Sequence, residues 1–209
     1  MICVTLEIGQ QGSGVRIEDL LDSSSFKKRR FAKEPDRVSR EIERLQRCIA
    51  QRPEQVFQEL VQIAVDSCHA DSAGISLEEE NAQGELQFRW FAVAGSFAPY
   101  LNGTTPRFYS PCGTCLDRGV PQLYQVTDPY YNFLGVSAEP ILDGILIPWR
   151  SGKMQGTIWL VSHHSDVAFD RSDYELMRAL ANIVAEAMNN PDCQDLHGTQ
   201  NSGALPPCL

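Results

Sequence analysis

The sequence predicts an α+β fold, a central antiparallel sheet with the N- and C-terminal helices on one face and a long crossing segment on the other. Three observations predict it: helical periodicity near both ends, strand-like runs between them, and an irregular stretch over residues 95–139. Strands bracketed by terminal helices favour an antiparallel sheet whose helices share one face. The opposite face then needs a cover, and a stretch of this length inside a domain usually has a function.

The centre of the sheet is predicted at residues 140–163. Two apolar runs, at residues 141–149 and 156–161, flank Ser-Gly-Lys-Met-Gln and are rich in β-branched and aromatic residues. Such runs around a glycine-containing turn are typical of a buried hairpin. Pro148 has no N–H for the ladder, so it should lie at an edge, a bulge or a strand end.

Residues 1–35 predict a flexible N-terminal arm, because they lack a sustained period and carry Gln-Gln-Gly-Ser-Gly, three serines and a basic run at residues 27–30. At most a short helix is expected near residues 17–21. We interpret the basic run as solvated charge, with attraction to an anionic partner as the alternative. Residues 191–209 have little to bury and predict a disordered tail, which leaves residues 36–190 as the folded domain.

The first helix is predicted over residues 36–51, where apolar residues are spaced by four, three and four. This spacing gives a narrow stripe that is typical of a seam between two helices, and two heptads are too short for a stable coiled coil alone. An interface in a homodimer is our preferred interpretation, and packing within the subunit is the alternative. The predicted interface residues are Val38, Ile42, Leu45 and Ile49.

Two further helices are predicted. Pro53 suits the first turn of the second one, whose wider apolar face over residues 56–68 should lie on the sheet. Asp170 is a good N-cap for the last helix, with Asp173 at its N3 position. An apolar stripe over residues 177–188 then predicts that this helix also packs on the sheet.

A second hairpin is predicted between the early helices and the crossing segment. Its strands are expected at residues 73–79 and 86–94, with a turn at Asn-Ala-Gln-Gly. Strict alternation would place Phe88, Trp90 and Ala92 on one face of the second strand.

Composition excludes several function classes. The chain has 18 Lys and Arg against 27 Asp and Glu, a net charge of −9, so a surface that neutralises a nucleic-acid backbone is not expected. No apolar run approaches a membrane-spanning length and none at the N-terminus suits a signal peptide, so we expect a cytoplasmic protein with no membrane partner. Seven scattered cysteines favour reduced thiols over a disulfide framework.

The sharpest local motif is Cys112-Gly-Thr-Cys115. Its spacing suits a thiol redox pair or half of a zinc site. Ser110 is a plausible N-cap for a short helix starting near Pro111, and a helix N-terminus would lower the pKa of a thiol there. Because a second such motif is lacking, we expect no metal site. Structural packing of the two thiols is the preferred interpretation, and redox chemistry is the alternative.

Two stretches carry a family resemblance. These are FYSPCGTCLDRGVPQL at residues 108–123 and IPW with GTIWLVSH at residues 147–163. Together with the order of elements, they resemble a GAF domain of the kind found in bacterial sensor histidine kinases and phytochrome-like proteins, over about residues 40–190. Such domains host cyclic nucleotides, tetrapyrroles, haem, small metabolites or nothing, so the cofactor stays unknown. Ser67-Cys68-His69 resembles the bilin-anchoring Cys-His pair of phytochromes, but it falls at a helix end and is not expected to bind a bilin.

The resemblance implies a ligand site between the sheet and the crossing segment. Aromatic rings beside a few polar groups suit a small-molecule cavity. We therefore expect a non-catalytic sensory module that binds a small molecule and signals through its terminal helices to another protein. The alternatives are a thiol reductase of the free methionine-(R)-sulfoxide reductase type, using Cys112 and Cys115, and a purely structural dimerisation module. The predicted ligand-binding residues are Trp90, Phe97, Tyr100, Phe108, Cys112, Cys115, Tyr124, Tyr131, Phe133, Trp149 and Trp159.

Overall fold

The computed structural model describes residues 8–9, 12–29 and 36–188. Its strands and helices follow one another along the chain in this order: β1 (Val15–Asp19), α1 (Ser24–Lys27), α2 (Arg37–Gln51), α3 (Val56–Cys68), β2 (Ser72–Glu80), β3 (Leu86–Gly95), β4 (Thr104–Pro106), α4 (Pro111–Arg118), β5 (Gln122–Val126), α5 (Asp128–Leu134), β6 (Ile141–Ser151), β7 (Met154–Ser162) and α6 (Arg171–Ala187).

All seven strands form one antiparallel sheet in the spatial order β1-β5-β6-β7-β2-β3-β4. Helices α2, α3 and α6 pack on one face, and the crossing segment with α4 and α5 covers the other. The predicted fold class is therefore confirmed. Of the helices in the described ranges, none combines the length and the apolar character that a membrane span requires.

The β6–β7 hairpin lies at the middle of the sheet, as predicted. A two-residue turn joins the strands, and Gly152 supplies the left-handed conformation (φ +58°) that such a turn needs. Pro148 lies inside β6, opposite Thr157. The neighbouring β5 begins at Gln122, opposite Leu146, so Pro148 lies beyond the stretch of β6 that pairs with β5.

The helix-side core is built from α3 and α6 against the central strands. Leu60 and Ile63 of α3, Leu180 of α6, and Ile145 and Ile158 of the hairpin are fully buried in it. The predicted cap of α6 is present in full: the Asp170 carboxylate accepts the backbone N–H groups of Ser172 (2.7 Å) and Asp173 (3.2 Å), and the Asp173 carboxylate accepts that of Asp170 (2.9 Å). This reciprocal capping box starts the helix at the predicted residue.

The β2–β3 hairpin contains a bulge that changes which side chains face the crossing segment. Ala92 pairs with Ile75, but Trp90 pairs with the very next residue of β2, so Phe91 is an extra residue. Phe88 and Trp90 face the crossing segment, whereas Ala92 packs on the helix side. The prediction that all three share a face is wrong for Ala92, because one inserted residue shifts the alternation.

The N-terminal segment is part of the folded sheet. Strand β1 pairs along its whole length with β5, from Val15 opposite Val126 to Asp19 opposite Gln122. The flexible arm predicted for residues 1–35 is wrong for residues 12–29, and so is the short helix near residues 17–21. Local sequence does not reveal this strand, because it has five residues and its partner lies far along the chain. Residues 30–35 and the predicted tail at 191–209 lie outside the described residues.

A buried ion pair connects the N-terminal segment, residues 12–29, to the start of α6. Arg29 Nη1 and Nη2 donate to Asp143 Oδ2 and Oδ1 at 2.7 and 2.8 Å, and Nη1 also donates to the Phe169 carbonyl oxygen at 2.6 Å. The Phe169 N–H in turn donates to Asp143 Oδ2 at 2.8 Å. The N-terminal segment and the last helix therefore share one buried carboxylate.

The face of α2 that is buried in the structure is not the apolar stripe that the sequence predicted. Leu45 is completely buried in the helix-side core, Val38 packs against that core, and Ile49 is 41% exposed. The predicted assignment of Leu45 to a dimer interface is therefore wrong, since this side chain has no surface left for a partner. The helix turns toward α3 and α6 the face that bears Arg37, Glu41, Leu45 and Cys48.

Arg37 ties the three helices together at one end. Its Nη2 donates to Asp173 Oδ1 of α6 at 2.8 Å, to Cys68 Sγ at 3.3 Å and, in a short hydrogen bond, to the Ser67 carbonyl oxygen at the end of α3. Its Nη1 donates to Ser172 Oγ at 2.8 Å. A movement of one of these helix ends therefore strains its hydrogen bonds to the other two.

Candidate functional site

A second buried cluster lies between the sheet and the crossing segment, on the face that the helices leave free. It draws side chains from strands across the sheet and from α4, α5 and the turn after β3. We call it the aromatic layer. Its buried members are Val15, Ile17, Phe88, Val93, Phe97, Tyr109, Cys112, Cys115, Leu116, Tyr124, Val126, Tyr130, Tyr131, Ile141, Leu146, Trp159 and Val161.

Three aromatic rings form one side of this layer. The Trp90 ring lies 5.8 Å from that of Phe97 and 5.2 Å from that of Trp159, and Phe97 lies 6.2 Å from Trp159, centroid to centroid. Tyr100 adds an edge contact to Phe97 at 6.0 Å. The indole of Trp159 lies across the backbone of Gly74, where a Cβ would come within 2.7 Å of Cε2. A glycine in β2 therefore makes room for one of the two indole rings of the site.

Tyrosines form the other side. The Tyr124 ring covers the backbone of Gly144, where a Cβ would lie 2.5 Å from Cε1. The Tyr130 hydroxyl donates to the Tyr109 carbonyl oxygen at 3.1 Å, whereas the buried Tyr131 hydroxyl has no hydrogen-bond partner among the described residues. Burial raises the pKa of Tyr124, Tyr130 and Tyr131 above the ordinary value, so all three phenols are protonated at neutral pH.

A buried polar group lies in the floor of the layer. Ser76 Oγ accepts a hydrogen bond from Trp159 Nε1 at 3.0 Å and one from Cys112 Sγ at 3.9 Å. Thr157 Oγ1 donates to the same sulfur at 3.1 Å. Ser76 and Thr157 come from the neighbouring strands β2 and β7, where they form a cross-strand pair. The floor thus presents hydroxyls and a thiol, with no charged group.

Helix α4 carries both cysteines of the CxxC motif and begins as predicted. Ser110 Oγ accepts the Gly113 N–H at 3.0 Å, and Pro111 occupies the first helical position. Burial raises the pKa of the Cys112 and Cys115 thiols above 9.0, the ordinary value, and this outweighs the helix terminus that was expected to lower it. The thiolate that redox or nucleophilic chemistry needs is therefore disfavoured at neutral pH.

Three predicted site residues lie elsewhere. Trp149 packs in the helix-side core, because it has the same parity in β6 as Ile145 and Ile147. Phe108 is 77% exposed, just before α4. Phe133 is 52% exposed, although its ring meets that of Tyr109 edge-on at 4.4 Å. The correction for these three residues is that none of them is a buried member of the aromatic layer.

The other predicted residues lie together. Trp90, Phe97, Tyr100, Tyr124, Tyr131 and Trp159 all belong to the aromatic layer or pack against it, as do both cysteines of α4. The predicted set left out the aliphatic members of the layer and Phe88, and it also left out four buried residues of the layer and its floor that carry a hydroxyl, namely Ser76, Tyr109, Tyr130 and Thr157. The two tyrosines could have been found by their position in the crossing segment, whereas Ser76 and Thr157 carry no local signal.

The N-terminal segment closes one end of the site. The Tyr109 hydroxyl donates to the Ser13 carbonyl oxygen at 3.0 Å, and the Gly14 carbonyl oxygen accepts the Thr127 N–H at 2.8 Å and its hydroxyl at 3.1 Å. Gly14 adopts φ +74°, and a Cβ there would collide with the backbone N of Tyr130. This glycine lets the segment lie against the start of α5.

Arg107 and Asp71, two charged groups near the site, already have partners. The Arg107 guanidinium lies 5.9 Å above the Phe88 ring and binds Glu78 and Asp117 at 2.5 Å each. Asp71 accepts the His163 N–H at 2.7 Å at the end of β7. In the described ranges, no three His, Cys, Asp or Glu side chains converge so that they could hold a metal ion.

The family follows from the sequence match, which covers residues 50–189 with the GAF domain family. The chain belongs to the GAF domain family. A search of curated proteins found no match. The predicted GAF resemblance is thereby confirmed, while the sensor histidine kinase and phytochrome-like type within the family is a finer prediction that this match does not reach.

Solved structures share the fold at low identity. The GAF domain of a phosphoenolpyruvate-protein phosphotransferase from Coxiella burnetii is 14% identical, with a TM-score of 0.61 over 78% of this chain and 99% of that one. Free methionine-R-sulfoxide reductase from Neisseria meningitidis, in complex with its substrate, is 13% identical, with a TM-score of 0.58 over 79% of this chain and 96% of that one. The chromophore binding domain of Stigmatella aurantiaca phytochrome P1 is 12% identical, with a TM-score of 0.54 over 76% of this chain and 62% of that one. At these identities the likeness concerns the GAF fold alone.

Proposed function

We propose that this GAF domain is a non-catalytic sensory module that binds a small molecule in the aromatic layer and signals through its terminal helices. The observation that carries the proposal is the composition of that layer. Rings from strands β3, β5 and β7 and from the rest of the crossing segment share one buried layer with the hydroxyls of Ser76 and Thr157, on a face that the helices do not need for packing. Apolar walls with a few placed polar groups are what small-molecule sites use.

The same strands that carry the site also carry the helices on their other face. Helix α3 packs on β2 and β3, and α6 packs on β6 and β7. Gln58 Nε2 of α3 donates to the Val93 carbonyl oxygen at 3.2 Å, close to the β3 bulge that sets the direction of Trp90. A ligand that shifts Trp90 would therefore stretch or compress this hydrogen bond and displace α3. The hydrogen bonds of Arg37 would in turn displace α2 and α6. The proposed recipient is another signalling protein of the kind that GAF sensors control.

Mass and absorbance test the proposal directly. The freshly purified chain, examined by native mass spectrometry and by its absorption spectrum, should carry a non-covalent small molecule that is released on denaturation. The control is the variant Gly74→Ala, whose Cβ disturbs Trp159 and should lower the occupied fraction. A wild-type mass equal to the polypeptide alone, in repeated preparations and with lysate metabolites added back, contradicts the proposal.

A homodimer through α2 is part of the proposal. Ile49 is exposed and Ile42 is half-buried on the same face of the helix, beside the buried Leu45. Changing Ile42 and Ile49 to Glu should give a monomer in sedimentation, whereas Arg47→Glu, on another exposed face of α2, should leave the mass unchanged. A doubly substituted chain that sediments like the wild type rejects this interface.

A thiol reductase is the second candidate, supported by the fold shared with the Neisseria reductase and by two thiols that face the aromatic layer. The raised pKa of both thiols argues against it. Turnover of free methionine-(R)-sulfoxide with a reversible Cys112–Cys115 disulfide, seen by mass spectrometry, would establish this candidate over the sensory one. Unmodified thiols and no turnover would exclude it.

A further inference from the structure

The Tyr131 hydroxyl is the polar atom of the aromatic layer that lacks a partner. Three buried side-chain polar atoms of the described residues have no hydrogen bond: Tyr131 Oη, Trp149 Nε1 and Ser151 Oγ. Trp149 and Ser151 share one parity in β6, on the helix side, so Tyr131 alone of the three belongs to the site. A buried hydroxyl without a partner is costly and calls for an explanation.

The position of Tyr131 suits a ligand contact. Its side chain is 8% exposed, and its phenol lies close enough to that of Tyr124 to raise the pKa of Tyr124 further. The neighbouring Tyr130 uses its hydroxyl to hold the Tyr109 backbone, so the two adjacent tyrosines of α5 have different roles. Tyr130 fixes the helix, and Tyr131 keeps a hydroxyl free to donate and to accept inside the layer.

Electrostatics disfavour a charged occupant of the aromatic layer. The buried charged side chains of the described ranges are Arg37, Glu41, Asp143 and Asp173, and all four belong to the helix face or to the Arg29 ion pair. Arg107, half-buried beside Phe88, already binds two carboxylates. A charged ligand would lose its hydration and find no buried counter-charge in the layer, and an anion would also lie near the exposed Asp128 carboxylate, whose charge acts on Tyr131.

The shape of the walls favours a flat ring. Trp90, Phe97 and Trp159 contact one another in stacked, tilted and edge-on pairs with 5.2 to 6.2 Å between ring centroids, and the Tyr124 ring covers the backbone of Gly144. Aromatic faces arranged this way contact a planar ring with more area and better geometry than a branched chain.

We propose that the ligand is an uncharged planar ring compound that bears a hydrogen-bond acceptor for Tyr131 Oη. This inference rests on the proposed function and names the chemical class that the same site takes. Neutral charge follows from the absence of a buried counter-charge in the described part of the aromatic layer, the ring from the aromatic walls, and the acceptor from the free hydroxyl.

Three small probes separate these requirements. Benzamide is a neutral ring with a carbonyl acceptor, benzoate has the same ring with a charge, and ethylbenzene has no acceptor. Each is added to the full chain, and melting temperature and affinity are measured by thermal unfolding and ligand-observed NMR. Benzamide should bind most tightly, ethylbenzene more weakly, and benzoate should give no shift.

Two variants then test the hydroxyl itself. Tyr131→Phe should weaken benzamide binding by about tenfold and leave ethylbenzene unchanged, because it removes one hydrogen bond and no ring. Ser151→Ala removes a hydroxyl that is equally unpartnered but outside the site, so its benzamide affinity should equal that of the wild type. Without probe, both variants should melt at the wild-type temperature or about 2 to 4 °C above it, since each loses an unsatisfied buried group.

The outcomes are distinguishable. Benzoate binding as tightly as benzamide overturns the neutral class, and an unchanged benzamide affinity in Tyr131→Phe overturns the role of the hydroxyl, while either result leaves a binding site in place. If no probe binds the wild type and its native mass also contains no ligand, the proposed function fails together with the inference.

Discussion

Loss of the Asp143 carboxylate should destabilise the whole domain, because it holds the N-terminal segment and the start of α6 at once. Its carboxylate receives two hydrogen bonds from Arg29 and one from the Phe169 N–H, and the two charged side chains are only 6% and 18% exposed. Breaking a buried pair by removing one partner costs about 3 to 5 kcal/mol, and the partial exposure of Arg29 favours the lower figure. For a chain of this length, about 3 kcal/mol lowers the melting temperature by roughly 6 to 12 °C.

A double-mutant cycle measures the pair itself. Urea unfolding of Asp143→Ala, Arg29→Ala and the double variant should give a coupling of about 2 kcal/mol, because the second removal no longer strands a charge. The matched control is the exposed pair Arg171–Glu175 of α6, at 3.1 Å, whose coupling should stay under about 0.5 kcal/mol. Additive single losses at Arg29 and Asp143, or losses as small as those of the control pair, would refute the argument that this ion pair holds residues 12–29 to the start of α6.

Two further predictions concern the site. The pKa of the Cys112 and Cys115 thiols is raised in the folded chain, whereas thiols in the unfolded chain ionise above pH 9.0, so their contribution to stability is complete below that pH and is lost above it. In urea unfolding, the free energy of unfolding should therefore be lower at pH 10 than at pH 8, and this decrease should be smaller in Cys115→Ala. A native chain that reacts with a thiol reagent at pH 8 as fast as the unfolded chain contradicts this prediction. Gly74→Ala should lower the free energy of unfolding by about 1 to 3 kcal/mol and shift tryptophan fluorescence, because the new Cβ displaces Trp159. Gly84→Ala is the control, since open space surrounds its Cβ, and it should leave the emission unchanged. Equal spectra for the wild type and Gly74→Ala would show that the indole does not need the space at Gly74.

Elements whose signals are local were predictable. The capping residues Asp170 and Asp173, the Ser110 cap and the Gly152 turn each act within a few residues, so the sequence contains the whole interaction. The long crossing segment was predicted as the cover of the free face because nothing else in the chain could cover it. Tyr124 and other rings were expected in the site on that ground, and they lie there.

Face assignments were harder to predict. Strand β6 is buried on both sides, so it has no alternation from which to tell that Trp149 faces the helices. The bulge at Phe91 turns Ala92 to the other face through one extra residue, and the period in the sequence gives no warning of it. The thiol pKa shifts were mispredicted in sign, because local reasoning counts a helix terminus and not the desolvation by residues from distant strands.

By itself, the sequence determined the type and order of the main elements, the central hairpin and the caps, since these depend on contacts between near neighbours in the chain. The tertiary structure alone decided that β1 joins the sheet through β5, that Leu45 is internal, and that one tyrosine of α5 is tied down while the next keeps an unpaired hydroxyl. Those outcomes depend on which distant segments meet, how strand parity runs through a bulge, and how much water each group loses, and no short stretch of residues contains that information.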